Sequence, residues 1–331
     1  MNTHLVLLPI LVPFAATGPA LLLRRKSRAQ AAWSLGALLS ALLAALSLLY
    51  VVWTSGQPVV FQLGNWSAPF GITLMGDLLG AIMVVMSGAV LSLGLIYAAG
   101  CRDRCITYPH FYPLFLTLAA GLMGVFLTGD IFNLFVFAEL LVISGAALTA
   151  TADDPNGSEA AYKYFFMSLL ASIFLLIAVG SLYVAYGTLN MADLALRIAA
   201  DPGRQPAPLA IALLFAFFMV KSAVVPFHFW QPDFHAASPT PVSAMLSSVV
   251  VKVGIYGFIR MTTLMFAPVA APLQIALIVL GVAGVIFGGL TALGATHAKR
   301  MLAYSTLGQV GFILVGVGWG TPAALAAALI M

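Results

Sequence analysis

Apolar stretches about as long as a bilayer is thick follow one another along almost the whole chain, separated by short polar joints. A spanning helix needs about 20 mainly apolar residues. With 62% of its 331 residues hydrophobic and only 7% charged, the chain cannot dress itself in a polar skin, so lipid is the solvent for most of it. The runs are apolar all round and lack the alternation of a membrane β-strand, which leaves an all-α polytopic membrane protein as the fold class. The pattern predicts helices at about 4–23, 31–53, 73–98, 112–128, 131–150, 162–187, 207–226, 239–264, 271–293 and 300–319, with an eleventh opening near Thr321. The first run follows His4 rather than a basic segment and leads into Arg24-Arg25-Lys26, so it reads as a spanning helix and not a signal peptide. Turn-forming residues mark the joints, as in Asp153-Asp154-Pro155-Asn156-Gly157 and Asp201-Pro202-Gly203.

Lys and Arg fall unevenly on alternate joints. One side collects Arg24, Arg25, Lys26, Arg28, Arg102, Arg104, Lys163, Lys299 and Arg300, the other Arg197, Arg204 and Arg260. Positive charge stays in the cytoplasm, which predicts an N-terminus outside a cell (inner) membrane and the 151–161 and 228–238 joints inside. Within the 188–206 joint, residues 191–200 have helical spacing and read either as a surface helix or as a solvated loop. The net charge of +4 belongs to this topology signal, and no nucleic-acid partner follows from it. Cys101 and Cys105 are too few for a metal site; they read as free thiols, or at most as one local disulfide.

Two lysines fall outside this count. Lys221 and Lys252 lie inside apolar helices, and Glu139 lies about nine residues into the run 131–150. A charge near the bilayer centre costs about 3 kcal/mol even on insertion scales, so it is normally paired, hydrated or functional. The bland alternative is a lysine that snorkels or only ties helices together. A buried ammonium loses proton affinity by desolvation and regains it beside a carboxylate, so a Glu and a Lys brought together can relay protons. Asp77 and Asp130, at helix starts, read as caps or surface charges. Pro226 follows Lys221 by five residues, and Pro239 and Pro241 open the helix that carries Lys252. They read as breaks that free backbone groups near both lysines, or simply as one helix's end and the next one's start. His228, His235 and His297 lie near the ends assigned to the cytoplasm, where an imidazole could pass protons from water or serve as an interfacial residue. No phosphate loop, dinucleotide fingerprint, or haem, iron-sulfur or zinc spacing occurs, so no cofactor, metal, redox or hydrolytic site is expected, and the energy source is an ion gradient or a partner.

Four blocks carry a resemblance: Thr128-Gly-Asp-Ile-Phe-Asn-Leu-Phe-Val-Phe-Ala-Glu139-Leu-Leu-Val-Ile-Ser144; Lys221-Ser-Ala-Val-Val-Pro-Phe-His-Phe-Trp-Gln-Pro-Asp233; Ser238-Pro-Thr-Pro-Val-Ser-Ala-Met-Leu246 running into Val251-Lys252-Val-Gly-Ile-Tyr256; and Lys299-Arg-Met-Leu-Ala-Tyr-Ser305 with Gly308-Gln-Val-Gly311. In these blocks, from about residue 70 onward, the chain resembles the antiporter-like subunits shared by respiratory complex I, membrane-bound hydrogenases and Mrp-type multisubunit cation/proton antiporters. The first block is most similar to the D-type branch of the Mrp antiporters. The resemblance implies about fourteen helices with two inverted five-helix repeats, each holding a discontinuous helix. It divides the chain into an N-terminal segment 1–110, a first repeat 111–265 and the start of a second repeat 266–331. It also implies that Glu139 pairs with Lys221, that Lys221 holds a proton at mid-membrane, and that Lys252 passes it on. The implied partners are other membrane subunits, protons and monovalent cations such as Na+. A proton-pumping subunit of an NADH:quinone oxidoreductase or hydrogenase is the neighbouring expectation, and a non-transporting membrane scaffold is the expectation from another class. The family continues for several more helices, which makes a fragment the plainer reading of 331 residues.

Overall fold

The computed structural model describes residues 3–101, 106 and 108–331. Arg102, Arg104 and Cys105, to which the sequence gives topology and thiol roles, lie outside the described residues. The helices are α1 (Leu8–Leu22), α2 (Ser27–Ser55), α3 (Leu78–Gly100), α4 (Phe111–Leu127), α5 (Ile131–Ala150), α6 (Pro155–Tyr186), α7 (Met191–Ala200), α8 (Ala207–Lys221), α9 (Trp230–Ala237), α10 (Thr240–Met245), α11 (Lys252–Arg260), α12 (Ala270–Leu293), α13 (Ala298–Trp319) and α14 (Pro322–Ile330). Seven stretches have the length and hydropathy to cross a membrane: α2, α3, α5, α6, Thr240–Met265, Ala267–Leu293 and α13. Three shorter apolar helices, α1, α4 and α8, accompany them. A two-stranded antiparallel hairpin, β1 (Val59–Gln62) with β2 (Thr73–Gly76), pairs Val59 with Gly76 and Gln62 with Thr73.

The chain forms two compact units, Met1–Phe165 with Ala237–Val250, and Phe166–Ala236 with Val251–Met331. In the first, α4 is buried along nearly its whole length and packs against α1, α3 and α5, as an all-round apolar helix must. The hairpin braces the turn between α4 and α5: Leu74 bridges to Thr128, and Gly129 N donates to Thr73 O at 2.9 Å. In the second, α12 and α13 meet along a glycine seam. A Cβ on Gly281 would lie 2.6 Å from Gly311 O, and one on Gly288 would lie 2.6 Å from Gly308 N. Small residues are what let two backbones approach this closely in lipid.

Several elements differ from the sequence expectation for local reasons. The helix expected at 73–98 starts at Leu78, because residues 73–76 pair as β2 and the Asp77 carboxylate caps the helix by accepting from Gly80 N at 2.9 Å. The joint at 188–206 holds a true helix, α7, capped by Asn190 and burying Met191, Leu194 and Ile198. The helix expected at 207–226 stops at Lys221, since Pro226 has no N–H for the ladder and its ring would clash with the carbonyl four residues back. The stretch 239–264 is helical but segmented, with π-helical turns at Leu246–Val250 and Met261–Met265 on either side of α11.

Candidate functional site

The two units hold different parts of the expected relay. Glu139, Pro239 and Pro241 belong to the first unit; Lys221, Pro226, His228, His235 and Lys252 belong to the second.

Glu139 is carried by a regular, well-anchored helix. Asp130 is the N-cap of α5: its carboxylate accepts from Asn133 N at 2.8 Å, while Asn133 Nδ2 donates to Thr128 Oγ1 at 3.1 Å. This satisfies donors that a helix start otherwise leaves open. Burial raises the Asp130 carboxyl above its ordinary range, and the N–H groups of Asn133 and Phe132 oppose that rise. Further along, Gly121 and Gly124 of α4 admit α5 at close range. A Cβ on Gly121 would lie 3.1 Å from both Phe137 O and Leu141 N, and one on Gly124 would strike the Phe137 ring. Phe137 and Leu141 bracket Glu139, and at about 100° per residue the carboxylate projects from the side of α5 turned away from α4. Glu139 is half-buried there.

Lys221 is carried by an irregularity. It is the last residue of α8, buried to 9% exposure, with Nζ 5.7 Å from the centroid of the Phe217 ring. The end of a helix is its negative pole, and an aromatic face attracts a cation, so both surroundings favour an ammonium. Ala223, at φ 53°, turns the chain out of the helix, and α9 restarts at Trp230. Trp230 Nε1 donates to Val220 O at 3.2 Å and so fastens the new helix to the end of the old one. Pro226 lies in this break. Pro239 and Pro241, by contrast, sit at the N-cap and in the first turn of α10 and open a helix instead of interrupting one.

Lys252 starts α11 immediately after the first π turn and Val251, and is half-buried. Such turns misalign the backbone ladder and are frequent at functional sites. Gly254 lets α11 lie directly on the end of α8: a Cβ there would meet Ser222 Oγ, and would lie 2.7 Å from Phe218 O. Ser222 adjoins Lys221, and Gly254 lies two residues after Lys252, so this contact brings the two lysine-bearing turns together. His235, 2% exposed, lies within electrostatic reach of Lys252. His228 is half-buried, with its ring edge-on to Phe287 of α12 at 4.4 Å. Asp233 and Arg300 form an ion pair at 3.0 Å, which ties α9 to the start of α13. His297 is exposed at the N-cap of α13.

One buried cation escapes the sequence count. Arg260 is grouped there with the joints, yet it is 5% exposed, 4.9 Å from the Tyr256 ring centroid, and donates from Nε to Tyr256 Oη at 2.9 Å. Its nearness to a helix end disguises it; the aromatic residue four positions earlier is the signal that could find it. Among the described residues no three His, Cys, Asp or Glu side chains gather as a metal site. The arrangement offers proton-exchanging groups at helix irregularities, suited to passing a charge through an apolar medium.

The family profile described as NADH:quinone oxidoreductase/Mrp antiporter, TM, matches residues 128–331. The D component of the Na(+)/H(+) antiporter of Alkalihalophilus pseudofirmus is 33% identical over 98% of this chain and 66% of its own length. The N component of the NADH-quinone oxidoreductase of Desulforudis audaxviator is 35% identical over 100% of this chain and 67% of its own. Among solved structures, a chain of the Mrp complex from Dietzia sp. superposes with a TM-score of 0.90 at 28% identity, covering 99% of this chain and 61% of that one. The chain thus spans about two thirds or less of the length of these relatives.

Proposed function

Because the chain belongs to the NADH:quinone oxidoreductase/Mrp antiporter transmembrane family, we propose that it is an ion-translocating subunit of a multisubunit monovalent cation/proton antiporter, carrying protons by way of Glu139, Lys221 and Lys252. It is a multi-pass membrane protein. The observation that carries the reading is Lys221, an ammonium 9% exposed at the broken end of an apolar helix. A lysine there is costly unless its charge is used. In this reading Glu139 is its counter-charge, Lys221 holds the proton, and Lys252 hands it on, while residues 111–265 act as the first of two repeats. Other membrane subunits complete the assembly, the exchanged ion is Na+ or a related monovalent cation, and the basic joints face the cytoplasm with the N-terminus outside.

Likeness to the N component of an NADH-quinone oxidoreductase supports a second reading, a proton-pumping subunit whose redox chemistry sits on partners. Everted vesicles bearing the intact assembly, loaded with a pH-sensitive dye, separate the two. Cation addition collapses the gradient if the exchanger reading holds, whereas NADH-driven acidification that requires this chain supports the pump. In either case Glu139→Ala should cut proton movement by about 100-fold while the subunits still co-purify. Undiminished movement in that variant defeats the relay, and a scaffold role predicts that result.

A further inference from the structure

The turn between α1 and α2 concentrates cations. Arg24, Arg25, Lys26 and Arg28 are all exposed, and among the described residues none of them is paired with a carboxylate. Topology asks only that such charge stay on one side of the membrane. It does not ask that the turn be fastened, yet this one is. Gln30, 2% exposed, donates from Nε2 to Ala20 O and to Pro109 O, both at 2.9 Å, and Trp33 Nε1 donates to Ala16 O at 3.0 Å. The start of α2 is thereby tied to the end of α1 and to the approach to α4, so the cations stand on a fixed frame. A site organised in advance spends less of its binding energy on ordering itself.

Beside this frame a groove of about 420 Å³ lies between α2 and α3. Arg28, Ala31 and Ala32 line it from α2, Leu95 and Ala99 from α3, and Tyr112 of α4, 1% exposed, closes it below. The three alanines leave the room, and no acid is among the described residues that line it. Helical spacing continues the Arg28 face of α2 through Leu39 and Leu43, which are 42% and 65% exposed. Apolar surface therefore runs on from the guanidinium for about 22 Å along the helix, at about 1.5 Å per residue. A cation cluster at one end and a long apolar track leading from it match a molecule with an anionic head and a long apolar tail.

We propose that this groove seats an acyl chain of an anionic glycerophospholipid, whose phosphodiester is held by Arg28 together with the neighbouring cations of the turn. Basic pockets between spanning helices bind anionic head groups in this way, and a guanidinium offers parallel N–H donors that fit phosphate oxygens. A zwitterionic lipid would fill the track equally well but would leave the charge of the turn unanswered. The proposal needs only a chain that spans a membrane, and it stands or falls separately from the proton relay.

The test takes the intact assembly, stripped of lipid in detergent, and titrates it with phosphatidylglycerol or with phosphatidylcholine of the same acyl chains, counting bound lipid by native mass spectrometry. Phosphatidylglycerol should be preferred at the tightest site by about 10-fold, and Arg28→Gln should weaken it there by about fivefold, the effect of one cation beside an anionic head group. Ala32→Phe, at an exposed position where a ring fills the groove without entering the core, should remove that site, and Ala99→Phe should do so from the opposite wall. Lys163→Gln, on the surface of α6, should change binding less than about twofold. Equal affinity for the two lipids in the wild type overturns the proposal. A loss in Arg28→Gln that neither phenylalanine variant shares also overturns it, since that is charge attraction with no seated chain. The reverse pattern overturns it as well, since that is an apolar groove indifferent to the head group. Ala32→p-benzoylphenylalanine, irradiated in the membrane, should crosslink to phospholipid; a crosslink to another subunit instead would show that protein covers the groove and would defeat the proposal.

Discussion

Glu139 and Lys221 are both ionisable groups set in apolar helices, and the chain holds them in opposite ways. The acid sits midway along α5, whose start is capped by Asp130 and whose phase is fixed by two glycines of α4. The base sits where α8 gives out, between an aromatic ring and a turn that no continuous helix could make. The difference teaches that one apolar helix can hold a charged group by regular geometry, while another holds one at an irregular end whose last carbonyls are met by the turn itself and by Trp230: Ser222 N donates to Phe218 O, Val224 N to Met219 O, and Trp230 Nε1 to Val220 O.

Backbone contact makes the base region the less forgiving of the two. Gly254→Ala would drive a methyl group into the Ser222 backbone and Phe218 O, whereas Gly124→Ala meets only the Phe137 ring, which can shift. Overpacking of the first kind costs about 3 kcal/mol or more and of the second about 1 kcal/mol, so thermal unfolding in detergent should rank Gly254→Ala well below Gly124→Ala. An inverse order breaks the comparison. Next in size is the cap of α5: Asp130→Ala should lose about 1 kcal/mol, and Asp130→Asn, which can still accept from Asn133 N, should lose less. Trp230→Phe, which removes the bond to Val220 O, should cost about 1 kcal/mol or slightly less and lower exchange more than it lowers Tm, because it loosens the break that holds Lys221.

The smallest effect belongs to the periphery. Asp193 in α7 pairs with Arg197 at 3.0 Å. Burial works against its ionisation, but hydrogen bonds from Arg197 and Thr188, with the Arg197 charge, outweigh it and hold the carboxyl below its usual value. A carboxylate with a depressed folded value stabilises above its unfolded value and loses that contribution as pH falls through the folded one. Asp193→Asn should therefore lower Tm by about 1 °C at pH 7 and by nothing once the pH is well below about 4. An equal shift at both pH values would remove the pair from the account.

Much of this was legible in the sequence where physics is local. Helix α5 was bounded correctly because Asp130 is a cap residue before an uninterrupted apolar run, and α12 and α13 because glycines and basic residues punctuate them. Lys221 and Lys252 stood out because lipid makes any charge conspicuous. What stayed hidden depends on partners distant in sequence or on backbone ladders. The hairpin at 59–76 needs its register with Thr128, the π turns around Lys252 carry no residue signature, and the groove beside Arg28 exists only once α2 and α3 are packed. Arg260 was misplaced because a position near a helix end looks the same in sequence whether the side chain faces water or a tyrosine.

The central claim is that burial at the break makes Lys221 a carrier and not a strut, and another lysine provides the control. Lys163 is 44% exposed and pairs with Glu159 at 2.7 Å on the surface of α6. Dye-measured exchange should be compared in vesicles carrying the intact assembly with Lys221→Met or Lys163→Met, at matched protein content. The account predicts a fall of about 100-fold for Lys221→Met and less than about twofold for Lys163→Met. Equal rates in the two variants would contradict it.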